Sequence, residues 1–191
     1  TGTMTVSVAA GAFTNLAGTA NTAAASINQA YNTTSGGSGN VVVSFDETAA
    51  PTLSPFEGVT AATVVADPTN ATNKVAMITN GVQGATQPWA GVTVSTGGQA
   101  SLPQMNVTAS LTKMTARVWS PAVGIRIRAK AENAVNGAQN HETNATTLTT
   151  VANAWETLTF DFAVASPTFD NLPTNPFNAT DPYNKLSFFF D

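Results

Sequence analysis

The sequence predicts an all-β protein built as an antiparallel sandwich, and three observations carry that expectation. Segments with a period of two recur along the chain, separated by clusters of Gly, Pro, Asn and Asp. No long window shows a 3.6-residue period with helix caps. "LAGTANTAAASINQA" is alanine-rich, but its Gly, Asn and Thr mark it as loop plus strand. Many short strands at this spacing form the pattern of two packed antiparallel sheets.

The expected strands are, in order, "MTVSVA" (4–9), "VVVSF" (41–45), "KVAMIT" (74–79), "AGVTVS" (90–95), "KMTARVW" (113–119), "GIRIRAKAE" (124–132), "NATTLTT" (144–150), "WETLTFDFAV" (155–164) and "KLSFFFD" (185–191). Alternation assigns their faces. In "KMTARVW" Met114, Ala116 and Val118 point in while Arg117 and Trp119 point out. In "WETLTFDF" Leu158, Phe160 and Phe162 point in, leaving Trp155, Thr157 and Thr159 on the polar side. "TGTMTVSVAAG" reads as the middle of a strand and "KLSFFFD" stops inside another, so both ends are expected to be cuts through a longer protein.

Charged residues make up only 9% of the chain, against roughly 25% in an ordinary soluble domain. Thr, Asn, Ser, Gln and Gly cover the surface instead, while 42% hydrophobic residues suffice for a core. The net charge of −4 argues against a nucleic-acid partner, which needs a broad basic surface, and against an anionic membrane. No apolar run is long enough for membrane insertion. With no cysteine there are no disulfides and no thiolate chemistry, and the single histidine, His141, excludes a multi-histidine metal centre. The uncharged, Thr/Asn-rich β surface suits an extracellular or surface-exposed setting. N-x-S/T sequons beginning at Asn32, Asn70, Asn106, Asn144 and Asn178 are weak signals in so Asn/Thr-rich a chain.

One break divides the chain. "NTTSGGSGN" has linker composition. It separates a front piece, residues 1–33, from a main body, residues 41–191, with the linker itself at 34–40. The front piece has room for two or three strands, too few to bury a core alone. It reads "VSVAAGAFTNLAGTANTAAASINQAYNT" and resembles the closing strands of bacterial immunoglobulin-like repeats of large surface proteins, with Gly11, Phe13, Gly18 and Asn21 on the pattern. Asn15 and Thr19 depart from it.

The series "VVVSFDE", "TVVADPTNATNKVAMI", "QPWAGVTVS", "MTARVWSP", "GIRIRAKAEN" and "WETLTFDF" resembles non-catalytic carbohydrate-binding modules of the galactose-binding-like, jelly-roll type. That resemblance implies a β-sandwich of jelly-roll class appended to a larger exported protein. It also implies one structural Ca²⁺ between the first strand, a nearby loop and an acidic last strand. The carboxylates available for it are Asp46, Glu47, Asp67 and Asp191. Surface acids and a turn-forming Asp-Pro account for the same residues without a metal.

"GIRIRAKAEN" carries the sharpest functional signal. Arg126, Arg128, Lys130 and Glu132 alternate with Ile125, Ile127, Ala129 and Ala131, and these three cations are drawn from only seven in the chain. Same-face residues on a strand lie about 7 Å apart, a spacing that lets long polar side chains meet successive units of an extended ligand. "NAVNGAQN" reads as a loop, after which "HETNATT" returns as a hairpin that brings His141 and Glu142 near Glu132 and Lys130. Trp89, Trp119 and Trp155 are placed at the rim or outside the core, where an indole stacks on a sugar face while charged groups bond its hydroxyls. The expected ligand-binding set is Trp89, Arg126, Arg128, Lys130, Glu132, His141, Glu142 and Trp155. Alternating charge on an antiparallel strand also fits a merely solvated face, and His141 also fits an ordinary loop residue.

Glu132 and Glu142 could form a glycosidase-like pair, but neighbouring cations suit neither as a proton donor. No G-x-S-x-G, H-E-x-x-H or phosphate loop is present. The expectation is a non-catalytic glycan-binding or adhesive module with a polysaccharide partner. The alternative is a structural subunit of a fibre, surface layer or virion decoration, contacting neighbouring copies.

Overall fold

The computed structural model describes residues 2–6, 27–31, 41–81, 89–164 and 175–190. The chain forms two compact units, Thr1–Val41 and Val42–Asp191. In the first, β1 (Gly2–Val6) and β2 (Ile27–Tyr31) pair antiparallel, with Gly2 opposite Tyr31 and Val6 opposite Ile27. The immunoglobulin-like motif positions Gly11, Phe13, Gly18 and Asn21, and the linker, lie outside the described residues.

The second unit is an antiparallel β-sandwich. Its described strands are β3 (Thr52–Phe56), β4 (Val59–Asp67), β5 (Asn70–Asn80), β6 (Gly91–Ser95), β7 (Lys113–Trp119), β8 (Ile127–Asn133), β9 (Asn136–Asn144), β10 (Trp155–Asp161) and β11 (Lys185–Phe190). A five-stranded sheet runs β3-β6-β11-β8-β9, β7 pairs with β10, and β4 pairs with β5. Among the described residues the helical content is one 3₁₀ turn, Gly98–Ala100, and no helix is long and apolar enough to cross a membrane.

Register explains where the core sits. Leu53, Val94, Leu186 and Ala131 stand opposite one another across four strands, and Val92, Phe188 and Ala129 form the next row on that face. Facing them are Met114, Ala116 and Val118 of β7 with Leu158 and Phe160 of β10. Phe160 meets Phe188 edge-on with ring centroids 5.9 Å apart, so the two sheets touch through aromatic rings. Leu158, Phe160, Phe162 and Tyr183 are fully buried, and each large apolar side chain so buried contributes about 1.5–3 kcal/mol. β9 hands over to the second sheet through a bridge between Ala145 and Phe160.

The connections are tight where the residues allow it. Glu57 (φ 51°) and Gly58 (φ 108°) are both left-handed, the backbone that joins β3 to β4 in a two-residue turn. β8 turns into β9 at Ala134 and Val135; Asn133 Oδ1 accepts from the Val135 amide at 3.0 Å and Asn184 Oδ1 from the Ala134 amide at 2.8 Å. Pro55, which lacks an N–H, sits in β3 at the sheet edge.

Two strand expectations are corrected, and two strands were missed. "VVVSF" is not a strand: Val42, Val43 and Phe45 all pack against the core, which a period of two forbids, and Phe45 turns left-handed at φ 68°. "NATTLTT" is mostly loop, because the returning strand starts at Asn136 and ends at Asn144. Thr149 is then buried in a turn, where its hydroxyl donates to the Ala122 carbonyl and accepts from the Ile125 amide. β3 and β4 were not expected, since their Thr, Ala and Pro give little apolar alternation.

Candidate functional site

The face of the five-stranded sheet turned away from the core carries the charged residues. Register sets Lys130 opposite both Ser187 of β11 and Glu142 of β9, and Ser187 opposite Thr93 of β6. Glu132 stands opposite Lys185 and Asn140, and Arg128 opposite Phe189 and Asn144. With strands about 4.8 Å apart, these polar groups form a grid across four strands.

The grid is wired with alternating sign. Arg128 Nη1 reaches Glu142 Oε2 at 2.9 Å, and its Nε donates to Asn144 Oδ1 at 3.1 Å. Lys130 Nζ lies 3.4 Å from Glu142 Oε1 and 3.4 Å from Glu132 Oε1, while Lys185 Nζ lies 3.2 Å from Glu132 Oε2. The Thr93 and Ser187 hydroxyls bond to each other at 2.8 Å. This is not a freely solvated face: Arg128 is 3% exposed, and Thr93, Glu132 and Ser187 are also buried. Charges taken from water need partners, and alternation of sign supplies them. The floor of the row is Arg128 and Glu132; Lys130, Glu142 and Lys185 form its partly exposed rim. Beside it Phe56 and Phe189 pack edge-on at 5.7 Å over Gly91, where a Cβ would come within 2.4 Å of the Phe188 carbonyl oxygen.

The structure splits the sequence-predicted ligand set. Arg128, Lys130, Glu132 and Glu142 come together; Lys185 and Ser187, which share the row, were not expected there. Arg126 is exposed, one residue before β8. Trp89 is 38% exposed in the turn before β6. His141 is corrected to a core residue. Opposite Ala131, it is 1% exposed between Phe162 and Phe177, with Nδ1 donating to the Asn175 carbonyl at 2.6 Å and Nε2 buried without a partner. Trp155 lies on the other sheet. It pairs with Trp119, rings edge-on at 5.7 Å, under the Arg117 guanidinium at 4.9 Å.

The expected metal ligands fare differently. Asp67 Oδ1 accepts from the Thr69 amide (2.7 Å), the Thr69 hydroxyl (2.7 Å) and the Trp155 indole (3.0 Å), and Oδ2 accepts from Asn73 Nδ2 (3.0 Å). Burial pushes its carboxyl up, but these donors outweigh that and hold it well below the usual carboxylate range. Its lone pairs serve the fold. Asp46 Oδ1 accepts from the Lys74 amide at 3.0 Å. Glu47 Oε1 accepts from the Ser44 amide at 2.6 Å and its hydroxyl at 3.0 Å, and Oε2 is buried with no partner. Burial raises the Glu47 carboxyl, yet the donors around Ser44 bring it below its ordinary value. Asp191 lies outside the described residues, and among those no three acids or histidines gather as a metal cluster. The first and last strands of the body do not pair: β11 lies between β6 and β8.

Fold and site together define an all-β, antiparallel sandwich with a buried, charge-alternating row on one sheet. The chain matches no family model, no curated protein and no solved structure.

Proposed function

We propose that the second unit is a non-catalytic glycan-binding module of jelly-roll class in a larger exported protein. The outer face of the five-stranded sheet is its binding surface. The observation that carries this reading is the row itself: a grid of donors and acceptors, at strand spacing, with a partly exposed rim over a buried charged floor. Such a grid meets sugar oxygens at fixed intervals and does not have to be ordered on binding. Glu132 and Glu142 have a cation on every carboxylate oxygen, which supports binding rather than acid catalysis. Titrating the whole chain calorimetrically against a panel of polysaccharides tests the proposal. Binding that disappears in a Lys130→Ala, Glu142→Ala double variant is expected; no binding to any polymer sinks the idea.

A structural Ca²⁺ belongs to the same proposal. The orphaned, buried Glu47 Oε2 fits a hard cation, and Asp46 lies beside it in the chain; Asp67, with every oxygen committed, does not fit. A melting temperature that rises in excess calcium over chelator in the native chain, but not in Glu47→Gln, is the expected result.

One observation favours the structural alternative, a subunit that contacts neighbouring copies. Val123, Leu148 and Val151 are exposed on two loops that Thr149 ties together. Exposed apolar groups so gathered suit a protein contact. Concentration-dependent sedimentation abolished by Leu148→Lys would support it.

A further inference from the structure

Resting on the glycan-binding reading, we infer that the row takes an acidic polysaccharide, one with carboxylate or sulfate groups along its chain, held by Lys130 and Lys185. The argument is a count of committed atoms. All four carboxylate oxygens of Glu132 and Glu142 already face a cation: Oε2 of Glu142 faces Arg128, Oε1 of Glu142 and Oε1 of Glu132 face Lys130, and Oε2 of Glu132 faces Lys185. The Thr93 and Ser187 hydroxyls bond to each other and are buried. An ammonium carries three N–H donors. Among the described residues Lys130 directs itself at two oxygens and Lys185 at one, so both keep donors to offer. Their side chains are 25% and 29% exposed, at the rim where a ligand arrives.

The row therefore still offers N–H donors on two ammoniums at its rim. A neutral sugar hydroxyl meets an ammonium in a bond with charge on one side only. A carboxylate or sulfate brings acceptors only and makes charge-assisted bonds. The chain's net charge of −4 does not forbid this. Charges farther off than about 8 Å are screened at physiological salt, and a group in contact with the two ammoniums is not.

The test titrates the whole chain with paired polymers: polygalacturonate against its fully methyl-esterified form, and a sulfated galactan against its desulfated product. At least one acidic polymer is expected to bind about tenfold or more tightly than its neutral twin. Whichever pair responds tells uronate from sulfate. Lys130→Gln and Lys185→Gln are each expected to weaken that binding several-fold, with Lys185→Arg restoring it. Lys113→Gln removes the same charge from an exposed site on the other sheet and is expected to change nothing. Equal binding of acidic and neutral twins overturns the inference and leaves the glycan reading standing. An equal loss in Lys113→Gln also overturns it, by showing non-specific attraction. No binding to any of the four polymers overturns the inference, and the glycan reading falls with it only if the wider panel also fails to bind.

Discussion

The two sheets carry the same alternation of polar and apolar residues on strands β7 and β8 and put it to opposite use. On β7, Lys113, Thr115 and Arg117 are exposed, and Lys113 meets Asp161 only at 3.9 Å with its side chain 67% open to water. On β8, Arg128 and Glu132 are buried and paired. The difference follows from position: among the described strands β7 has a neighbour on one side only, β10, while β8 lies between β11 and β9 in the wider sheet. Alternation tells which side chains share a face. How many strands flank them decides whether that face is wet.

The largest effect is expected where the charge is buried. Arg128→Ala takes the partner from Glu142 Oε2 and Asn144 Oδ1 beneath the rim and leaves Glu142 with Lys130 alone. It should cost about 1.5–3 kcal/mol of unfolding free energy, the range for bonds to charged groups, measured by urea titration. A loss under about 1 kcal/mol would mean that the two faces do not differ as described. The next effect is on the β10 side. Asp67→Asn weakens the joint that ties the β4–β5 hairpin to Trp155, so melting at neutral pH should fall. Because the folded carboxyl titrates below its unfolded value of 3.8, its contribution is full above that value and is lost as pH falls through the lower, folded one. The gap between wild type and Asp67→Asn in thermal melts should therefore close in strong acid. A gap that widens there would contradict the assignment. The smallest effect belongs to Lys113→Ala, expected within about 0.5 kcal/mol of wild type, as for an exposed pair. A larger loss would place β7 with β8 after all.

Much of the fold was legible because apolar alternation is a local signal. The inward residues of β7 and β10 and the hairpin partner Glu142 were read from it. His141 shows where the reading went astray. Neighbours on a strand face opposite ways, so once Glu142 stands opposite Lys130, His141 must join Ala131 on the core side. That parity was present in the sequence. Trp155 is another matter: nothing in the period of a strand tells which sheet it joins, since pairing is set by long-range register. Lys185 was missed for the same reason, arriving beside Glu132 from far along the chain. Asp67 suggested a metal because a carboxylate in a polar loop has the same composition whether a cation or four N–H and O–H groups fill its lone pairs.

The central place of β11 has a consequence for how the protein comes to be made. Of the described strands it is the last to leave a ribosome, yet β6 and β8 are joined only through it. Until it arrives, β3–β6 and β8–β9 are separate ribbons, each with an unpaired edge, and the charged row on β8 and β9 lacks Lys185. Closing the sheet then means recruiting partners about ninety residues back (Leu186 opposite Val94), a slow, high-contact-order step. Until then the nascent chain has open strand edges on which another copy could pair.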